Sequence, residues 1–490
     1  MWIDLNKVEA TPFNDKYDVC VCGSGPAGMA VTQSLMAKGA RVLLLEAGDV
    51  NPTPESQRVY EAKSVGPIEY YGVEFCRLRY FGGTSNHWTG RCGLFDPMDF
   101  GEREIWDVPG WPISYDEAYS HLDDAMAFLD LAPGSLQKPN EPGWKKERFF
   151  PSAYAISPPT RVGEKYRASL EASSNVDVAL NANVTDILLD EGGTRASKIT
   201  VENYAGGKFD ISADYFVLAF GALENARFLL NARSQNPSGL GNQSDMVGRC
   251  FMEHFDLELG RFIPTTKDFW DRDESLPVNP TEKMANEKNI GNSIMTLQAN
   301  GRPKFYGRLA PLRKMQRSIT CSSDYLLRQA RSKEDILCDG DGRVSTLMEQ
   351  TPNRNSRVFL DDTAQDQFGK HRLQLNWEIN DQDRKTIKTL AEELGKTLAV
   401  QKLARFKIAD KVLDGSADLG FHCHQMGTTR MSSNPNVGVV DANCRVHGVD
   451  NLFMGGSSVF STGGGMNPTL TLTALAMRLG DHLGQKLNLS

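Results

Sequence analysis

Apolar runs of strand length alternate with helically spaced apolar positions through the first fifty residues of this 490-residue chain. The first strand is expected near Tyr17, in the run YDVCVC. GSGPAG follows, then AVTQSLMAKG with helical spacing closed by Gly39, then RVLLLE as a second strand. Strand, tight turn, helix and strand in that order predict a βαβ unit. Periodicity fades between about Asn51 and Gly110, a loop-like stretch centred on GGTSNHWTG. WPISYDEAYSHLDDAMAFL then predicts one helix, because Ser114 stands at capping-box spacing from Glu117. The Pro/Gly-rich stretch from Pro133 to Pro151 predicts a connector.

Short strand patterns return between Val176 and Val201, and DYFVLAFGALENARFLL predicts strand, turn and helix. From about Leu257 to Asn380 the pattern is mixed and strand-rich, with LQLNWEI the clearest strand. Asp381 to Gln401 has helical spacing. The last seventy or so residues are dense in Gly, Ser and His. In them NLFMGG predicts a buried strand that stops at two glycines, and SSVFSTGGGMN is too glycine-rich for a regular element. A closing helix, PTLTLTALAMRLGDHL, is expected to start at Pro468, whose missing N–H suits the first helical position.

Length and charge narrow the class. At roughly 150 residues per domain the chain has room for two or three domains. A hydrophobic fraction of 40% with 24% charged residues is ordinary for a soluble globular protein. A net charge of −8 and the lack of a basic run argue against nucleic acid. No apolar run approaches the ~20 residues of a membrane span; the nearest, Tyr215 to Leu230, is interrupted by Glu224 and Arg227. The N-terminus carries acids early and has no apolar core, unlike a secretory signal. The nine cysteines fall in no CxxC spacing, and Cys20 and Cys22 lie in an apolar strand as small hydrophobes. A cytoplasmic location is expected.

Gly23, Gly25 and Gly28 form G-x-G-x-x-G between strand and helix. The first glycine permits the tight turn, the second admits a pyrophosphate and the third lets helix pack on strand. The helix start offers free N–H groups and partial positive charge to phosphates. Glu46 ends the second strand where an acid binds a ribose hydroxyl pair, which favours FAD or NAD over NADP.

Three further segments resemble the glucose–methanol–choline (GMC) oxidoreductase family, closest to its pyranose 2-oxidase and glycoside 3-oxidase-like members. They are GGTSNHWTG (82–90), VLAFGALENARFLL (217–230), and HQMGTTRMS with VVDANCRVHGVDNLFMGGSSVFSTGGGMNPTLT (424–432 and 439–471). The stretch 257–410 carries no segment that can be placed, and substrate contacts are expected there. The resemblance implies an α/β (α+β overall) fold, with a Rossmann-like FAD-binding domain and a discontinuous substrate-binding domain on a mostly antiparallel sheet. The FAD-binding domain would take 1–95, 150–256 and 415–490, the other 96–149 and 257–414.

By resemblance the cofactor is FAD, contacted in the first unit by Gly23, Gly25, Pro26, Ala27, Gly28, Glu46 and Ala47. The segment 82–90 adds Gly82, Gly83, Thr84, Asn86, His87, Trp88 and Thr89. Val184, Ala219 and Gly221 come from the middle, and Gly456, Ser457, Asn467, Pro468 and Thr469 from the C-terminal part. His87 aligns with the histidine that carries an 8α-linked flavin in pyranose 2-oxidase. It either bonds the flavin or packs beside it, and Thr89 would lie near N5.

Alcohol oxidation sends a hydride from carbon to flavin N5 while the hydroxyl loses its proton, and histidine is suited to take that proton. The resemblance makes His424 the base and Asn467 its partner on the substrate oxygen. Much of the family has a second histidine at the latter position, so Asn467 points to the pyranose-oxidase-like branch. Asn467 before Pro468 also reads as an ordinary helix cap. His422 and His424 point the same way on a strand, but no third ligand completes a metal site, so no metal is expected. His422, Cys423 and His254 read as structural, and Trp88, Trp106 and Trp111 as either sugar-stacking or core.

The implied reaction is oxidation of a secondary alcohol, a pyranose ring hydroxyl at C2 or C3 of a sugar or glycoside, to a ketone. The alternative is the same chemistry on a non-sugar alcohol such as a natural-product intermediate. The electron acceptor is O2 or an external protein or quinone, and an oligomer is compatible with the sequence. A flavin reductase would need a second GxGxxG and often CxxxxC, and neither is present. A vestigial scaffold is at odds with an intact His424/Asn467 pair.

Overall fold

The computed structural model describes residues 1–13, 17–137, 141, 143–265, 275–299, 311–312, 315 and 342–489. At its centre is a parallel sheet in the order Trp2–Asp4, Val176–Leu180, Val42–Leu45, Tyr17–Cys22, Ala213–Leu218 and Leu452–Met454. Val19 to Cys22 and Val42 to Leu45 are buried throughout, as expected of strands covered on both faces. Helix Pro26–Ala37 follows the first βα turn, and helix Thr469–Lys486 packs against it. Strand, turn and helix over 213–231 form as the periodicity predicts.

The expectation that the first strand begins at Tyr17 is corrected. Trp2–Asp4 forms an edge strand, and its partner is Val176–Leu180. Three residues are too few to show a period, so only the partner's unpaired edge defines this strand.

Among the described residues four other sheets accompany this one, the smallest pairing Arg91–Cys92 with Ala155–Ile156. Asn183–Leu189, Ala196–Glu202 and Lys208–Ile211 form an antiparallel meander. A larger antiparallel sheet runs Ala404–Ile408, Phe255–Pro264, Gly342–Met348, Ser293–Ala299, Leu276–Pro280 and Phe149–Pro151, with Gly420–Phe421 also on Phe255–Pro264. Arg357–Gln365, His371–Asn376 and Ala62–Ser64 make the last. The architecture is mixed α/β, a Rossmann-like sheet beside a mostly antiparallel one.

Tertiary packing corrects two element predictions. The single helix expected after Trp111 is two, Tyr115–Ala118 with the Ser114–Glu117 capping box and Leu122–Phe128. The break falls where the Tyr119 hydroxyl is pulled inward, 2.9 Å from the Phe95 N–H and 2.8 Å from Thr471 Oγ1. LQLNWEI leaves the sheet after Asn376, since Trp377 turns into the core against Tyr70 and Phe421. Helix Asp381–Val400 matches its prediction. Residues 138–140 and 142 of the expected connector, and most of 300–341 in the strand-rich region, lie outside the described residues.

Candidate active site

Three helix starts converge on one cavity of about 410 Å³. They belong to helices Pro26–Ala37, Ala222–Asn231 and Thr469–Lys486, and none has a capping side chain. Their first N–H groups are free for a ligand, and the helix dipoles favour an anionic one. The glycine turn is built as the motif implies. A Cβ on Gly28 would lie 1.8 Å from the Gly23 carbonyl oxygen, so glycine here is what allows helix against turn. A Cβ on Gly25 would meet no protein atom within 4 Å, so the space beside it is left for something else. These features fit the pyrophosphate of a dinucleotide.

From the glycine turn the cavity runs two ways. Glu46, Ala47 and Val184 line one end. Glu46 accepts from Ser24 N–H (3.2 Å) and Oγ–H (2.5 Å) on one oxygen and from Gly48 N–H (2.9 Å) on the other. Tyr60 and Arg79 share this end without having been expected there. The Arg77 and Arg79 guanidinium carbons lie 4.3 and 5.5 Å from the Tyr60 ring centroid, and Arg79 is held by Asn183 Oδ1 at 2.8 Å and the Tyr204 hydroxyl at 2.7 Å. No periodicity marks Tyr60 or Arg79, since Arg79 lies in a turn-and-loop segment over 71–80.

His87, Trp88, Thr89, Ser457, Asn467, Pro468, Thr469 and His424 line the other end. Gly23, Gly25, Pro26, Ala27, Gly83, Thr84, Ala219, Gly221 and Gly456 lie on the wall between. Gly28, Gly82 and Asn86 do not reach it. Gly28 backs the turn, Gly82 donates its N–H to Ser24 Oγ at 3.0 Å, and Asn86 Nδ2 donates to the Phe81 carbonyl at 2.9 Å.

His424 is brought to the cavity by a short antiparallel bridge. Met252 and Met426 exchange N–H···O bonds of 3.0 and 2.9 Å, and stepping two residues outward along each chain sets His254 opposite His424. Their Nδ1 atoms are 3.0 Å apart. Glu253 Oε1 accepts the backbone N–H of both, at 2.9 Å from His254 and 2.7 Å from His424. Asn467 Nδ2 lies 3.1 Å from His424 Nε2.

That contact sets aside one of the two readings of Asn467, the helix cap. Pro468 itself takes the cap position, the helix starts at Thr469, and the Asn467 side chain turns to His424 instead of the helix N–H groups. Pro468 is therefore one place earlier than expected. Asn467 Oδ1 is buried without a partner, an arrangement unfavourable by roughly 1–3 kcal/mol unless a ligand fills it.

Other residues move from their expected places. His422 and Cys423 line the cavity rather than the core, with the His422 ring stacked on His424 at 5.5 Å. His254 is buried directly behind His424. Trp106 and Trp111 are core residues, Trp111 Nε1 donating to Thr462 Oγ1 at 2.7 Å. Among the described residues, none from 257–410 lines the cavity; Trp88, Arg91 and 422–425 supply the wall near His424 instead.

Burial holds the His424 pKa well below the usual histidine value, helped by His254, His422 and Arg91. Its imidazole is then neutral, able to accept a proton, at any pH above that depressed value. The acid limb of kcat/KM is expected below about pH 6.5, the ordinary histidine value. The rate should be flat from there toward neutrality, and fall up to tenfold per pH unit beneath the limb. A pH profile of substrate-dependent flavin reduction checks this; a limb above 6.5 contradicts it.

Fold and site together define an FAD-dependent oxidoreductase. A model of the GMC oxidoreductase family matches residues 352–476, and one described as pyridine nucleotide-disulphide oxidoreductase matches 17–244. C-glycoside 3-oxidase of Arthrobacter globiformis is 30% identical over 83% of this chain and 74% of its own. 2-Methyl-1,2-propanediol dehydrogenase of Mycolicibacterium austroafricanum is 25% identical over 97% of this chain and 96% of its own. In fold, the crystal structure of pyridoxine 4-oxidase from Mesorbium loti superposes with a TM-score of 0.57 at 16% identity, covering 95% of this chain and 99% of that one. The chain belongs to the GMC oxidoreductase family, whose members here are oxidases and dehydrogenases acting on CH–OH groups. Among the described residues no helix is long and apolar enough to cross a membrane.

Proposed function

We propose that this enzyme oxidises a secondary alcohol on a pyranose ring, at C2 or C3 of a sugar or glycoside, to a ketone. The observation that carries the reading is the pair His424 Nε2 and Asn467 Nδ2, 3.1 Å apart, with Asn467 Oδ1 left unpartnered. A hydroxyl entering between them donates its proton to Nε2 and accepts from the Asn467 amide. His424 then holds the proton while the carbon loses its hydride. When bound, FAD supplies the hydride acceptor at N5.

His422 and Arg91 give this end polar groups for neighbouring hydroxyls, and Trp88 offers an aromatic face. Trp88 is held there by its Nε1, which donates to the Thr160 carbonyl at 2.9 Å. The helix start at Thr469 would face charge that develops on the reduced ring. In this reading 1–95, 150–256 and 415–490 hold the cofactor, while 96–149 and 257–414 form the second domain. Every described residue of the cavity wall comes from the first set.

The similarity to a propanediol dehydrogenase favours a second reading, a small non-sugar alcohol. Anaerobic bleaching of the flavin band separates the two. Free sugars and glycosides should bleach it at lower concentration than diols and other simple alcohols. The reverse order selects the second reading, and bleaching by NADPH alone overturns both. Reoxidation of the bleached enzyme by air or only by quinone then distinguishes oxidase from dehydrogenase. Attachment through His87 is decided by acid precipitation, colour in the pellet meaning a covalent bond. His87 Nδ1 lies 3.0 Å from the Thr84 carbonyl, which leaves Nε2 as the nitrogen free to bond.

A further inference from the structure

We propose that His254 is a positioning residue, which fixes His424 as the Nδ1–H tautomer and so presents the Nε2 lone pair to the substrate hydroxyl. This rests on the reading of His424 as base.

Proton positions follow from one end of a chain of contacts. His254 Nε2 lies 3.0 Å from the Gly463 carbonyl oxygen and 2.8 Å from that of Gly464. Carbonyl oxygens only accept, so Nε2 must carry hydrogen. His254 is buried, and burial pushes its pKa down to about 4. At neutral pH it is therefore uncharged, and its other nitrogen, Nδ1, is a bare lone pair. That lone pair faces His424 Nδ1 at 3.0 Å. Two bare nitrogens at this distance repel, so His424 Nδ1 bears the hydrogen and donates it. His424 Nε2 is then the acceptor, and Asn467 Nδ2–H is its donor at 3.1 Å.

The framework holding this order is rigid. The two imidazole planes are near perpendicular at 87°, with centroids 5.1 Å apart. Glu253 pins both backbones from one oxygen, and its other oxygen lies 2.5 Å from the Tyr70 hydroxyl. Gly464 donates its N–H to Glu349 Oε1 at 3.3 Å, so the carbonyl pair that starts the chain is itself tied down. A carboxylate behind the base would orient it too, but its charge would also raise the base's pKa. A neutral histidine orients it without that charge. The proton taken from substrate has no acceptor beyond His254, whose far N–H faces only two peptide carbonyl oxygens, so it returns through the cavity.

The test uses flavin-loaded protein with His254→Leu and His254→Gln. Glutamine keeps an amide N–H for the glycine carbonyls and an oxygen for His424 Nδ1–H, whereas leucine removes both. Single-turnover flavin reduction is expected to fall about 10–100-fold in His254→Leu, the usual loss on removing an outer-shell partner of a functional histidine. In His254→Gln it should stay within about threefold, since both hydrogen bonds are kept. The independent readout is the imidazole ¹⁵N spectrum of wild-type holoenzyme, which should show His424 protonated at Nδ1 and bare at Nε2.

Wild-type reduction rate and pH profile in His254→Leu overturn the proposal. So do equal losses in both variants, or an Nε2–H signal for His424. If His254→Leu does not fold, the glutamine variant and the spectrum decide. If His424→Ala reduces at the wild-type rate, the base assignment itself fails. If His424→Ala is slow but His254→Leu is not, only the role of His254 fails.

Discussion

His424→Ala is expected to purify yellow and to reduce its flavin with substrate about 10²–10⁴-fold more slowly than wild type, the range of general-base catalysis. The flavin should stay because the glycine turn, the Glu46 end and the Thr469 helix start lie elsewhere on the wall. Folding should survive too, since His424 contributes one hydrogen-bonded ring at the cavity edge rather than apolar core. The loss should fall on flavin reduction more than on substrate binding, because proton removal is realised only in the transition state. It should also persist at high pH, where the wild-type base is fully neutral. Stopped-flow reduction under nitrogen measures this directly. A wild-type rate would move the base to another cavity residue, with His422 first in line.

Gly28→Ala should be as damaging, for an unrelated reason. The added Cβ would lie 1.8 Å from the Gly23 carbonyl oxygen, a contact of backbone with helix that no side-chain rotation relieves. Overpacking of this kind costs about 1–3 kcal/mol, and moving the helix start away from the turn also disperses the N–H groups meant for phosphate. The purified protein should be largely colourless, with a lowered Tm. Gly25→Ala is the contrast. Its Cβ meets no protein atom within 4 Å, so the apoprotein should keep its Tm while flavin affinity falls. The ratio of flavin to protein absorbance and a melting curve separate the two effects. Equal Tm in wild type and Gly28→Ala would contradict the packing account.

Legibility followed the distance over which each constraint acts. The glycine turn is six consecutive residues whose demands are met within one βα unit, and it forms as the motif implies. The tail HQMGTTRMS to NPTLT forms one wall because strand Leu452–Met454 enters the central sheet beside Ala213–Leu218. Helix Asp381–Val400 needed only its period and its Asn380 cap. Tyr60 and Arg79 were missed, because an arginine in a loop has no period to betray the tyrosine it stacks on. Edge strand Trp2–Asp4 was missed because strand pairing, and not its own composition, defines it. The break at Tyr119 depends on a hydroxyl partner 352 residues away.

The chemistry itself divides the same way. By itself the sequence determined a dinucleotide cradle suited to an unphosphorylated ribose and, through resemblance, named His424 and Asn467 as the pair to watch. It could not distinguish Asn467 as a helix cap from Asn467 as a substrate contact, since both are compatible with N-P at a helix start. Nor could it raise His254 above a structural residue. What bears on both lies in the tertiary structure, which turns the Asn467 side chain to His424 rather than to the helix N–H groups and, through the Met252–Met426 bridge, sets two histidines 170 residues apart face to face. Hydrogen-bond direction is a property of neighbours in space, and two glycine carbonyls, themselves far along the chain, determine which nitrogen of His424 is left bare.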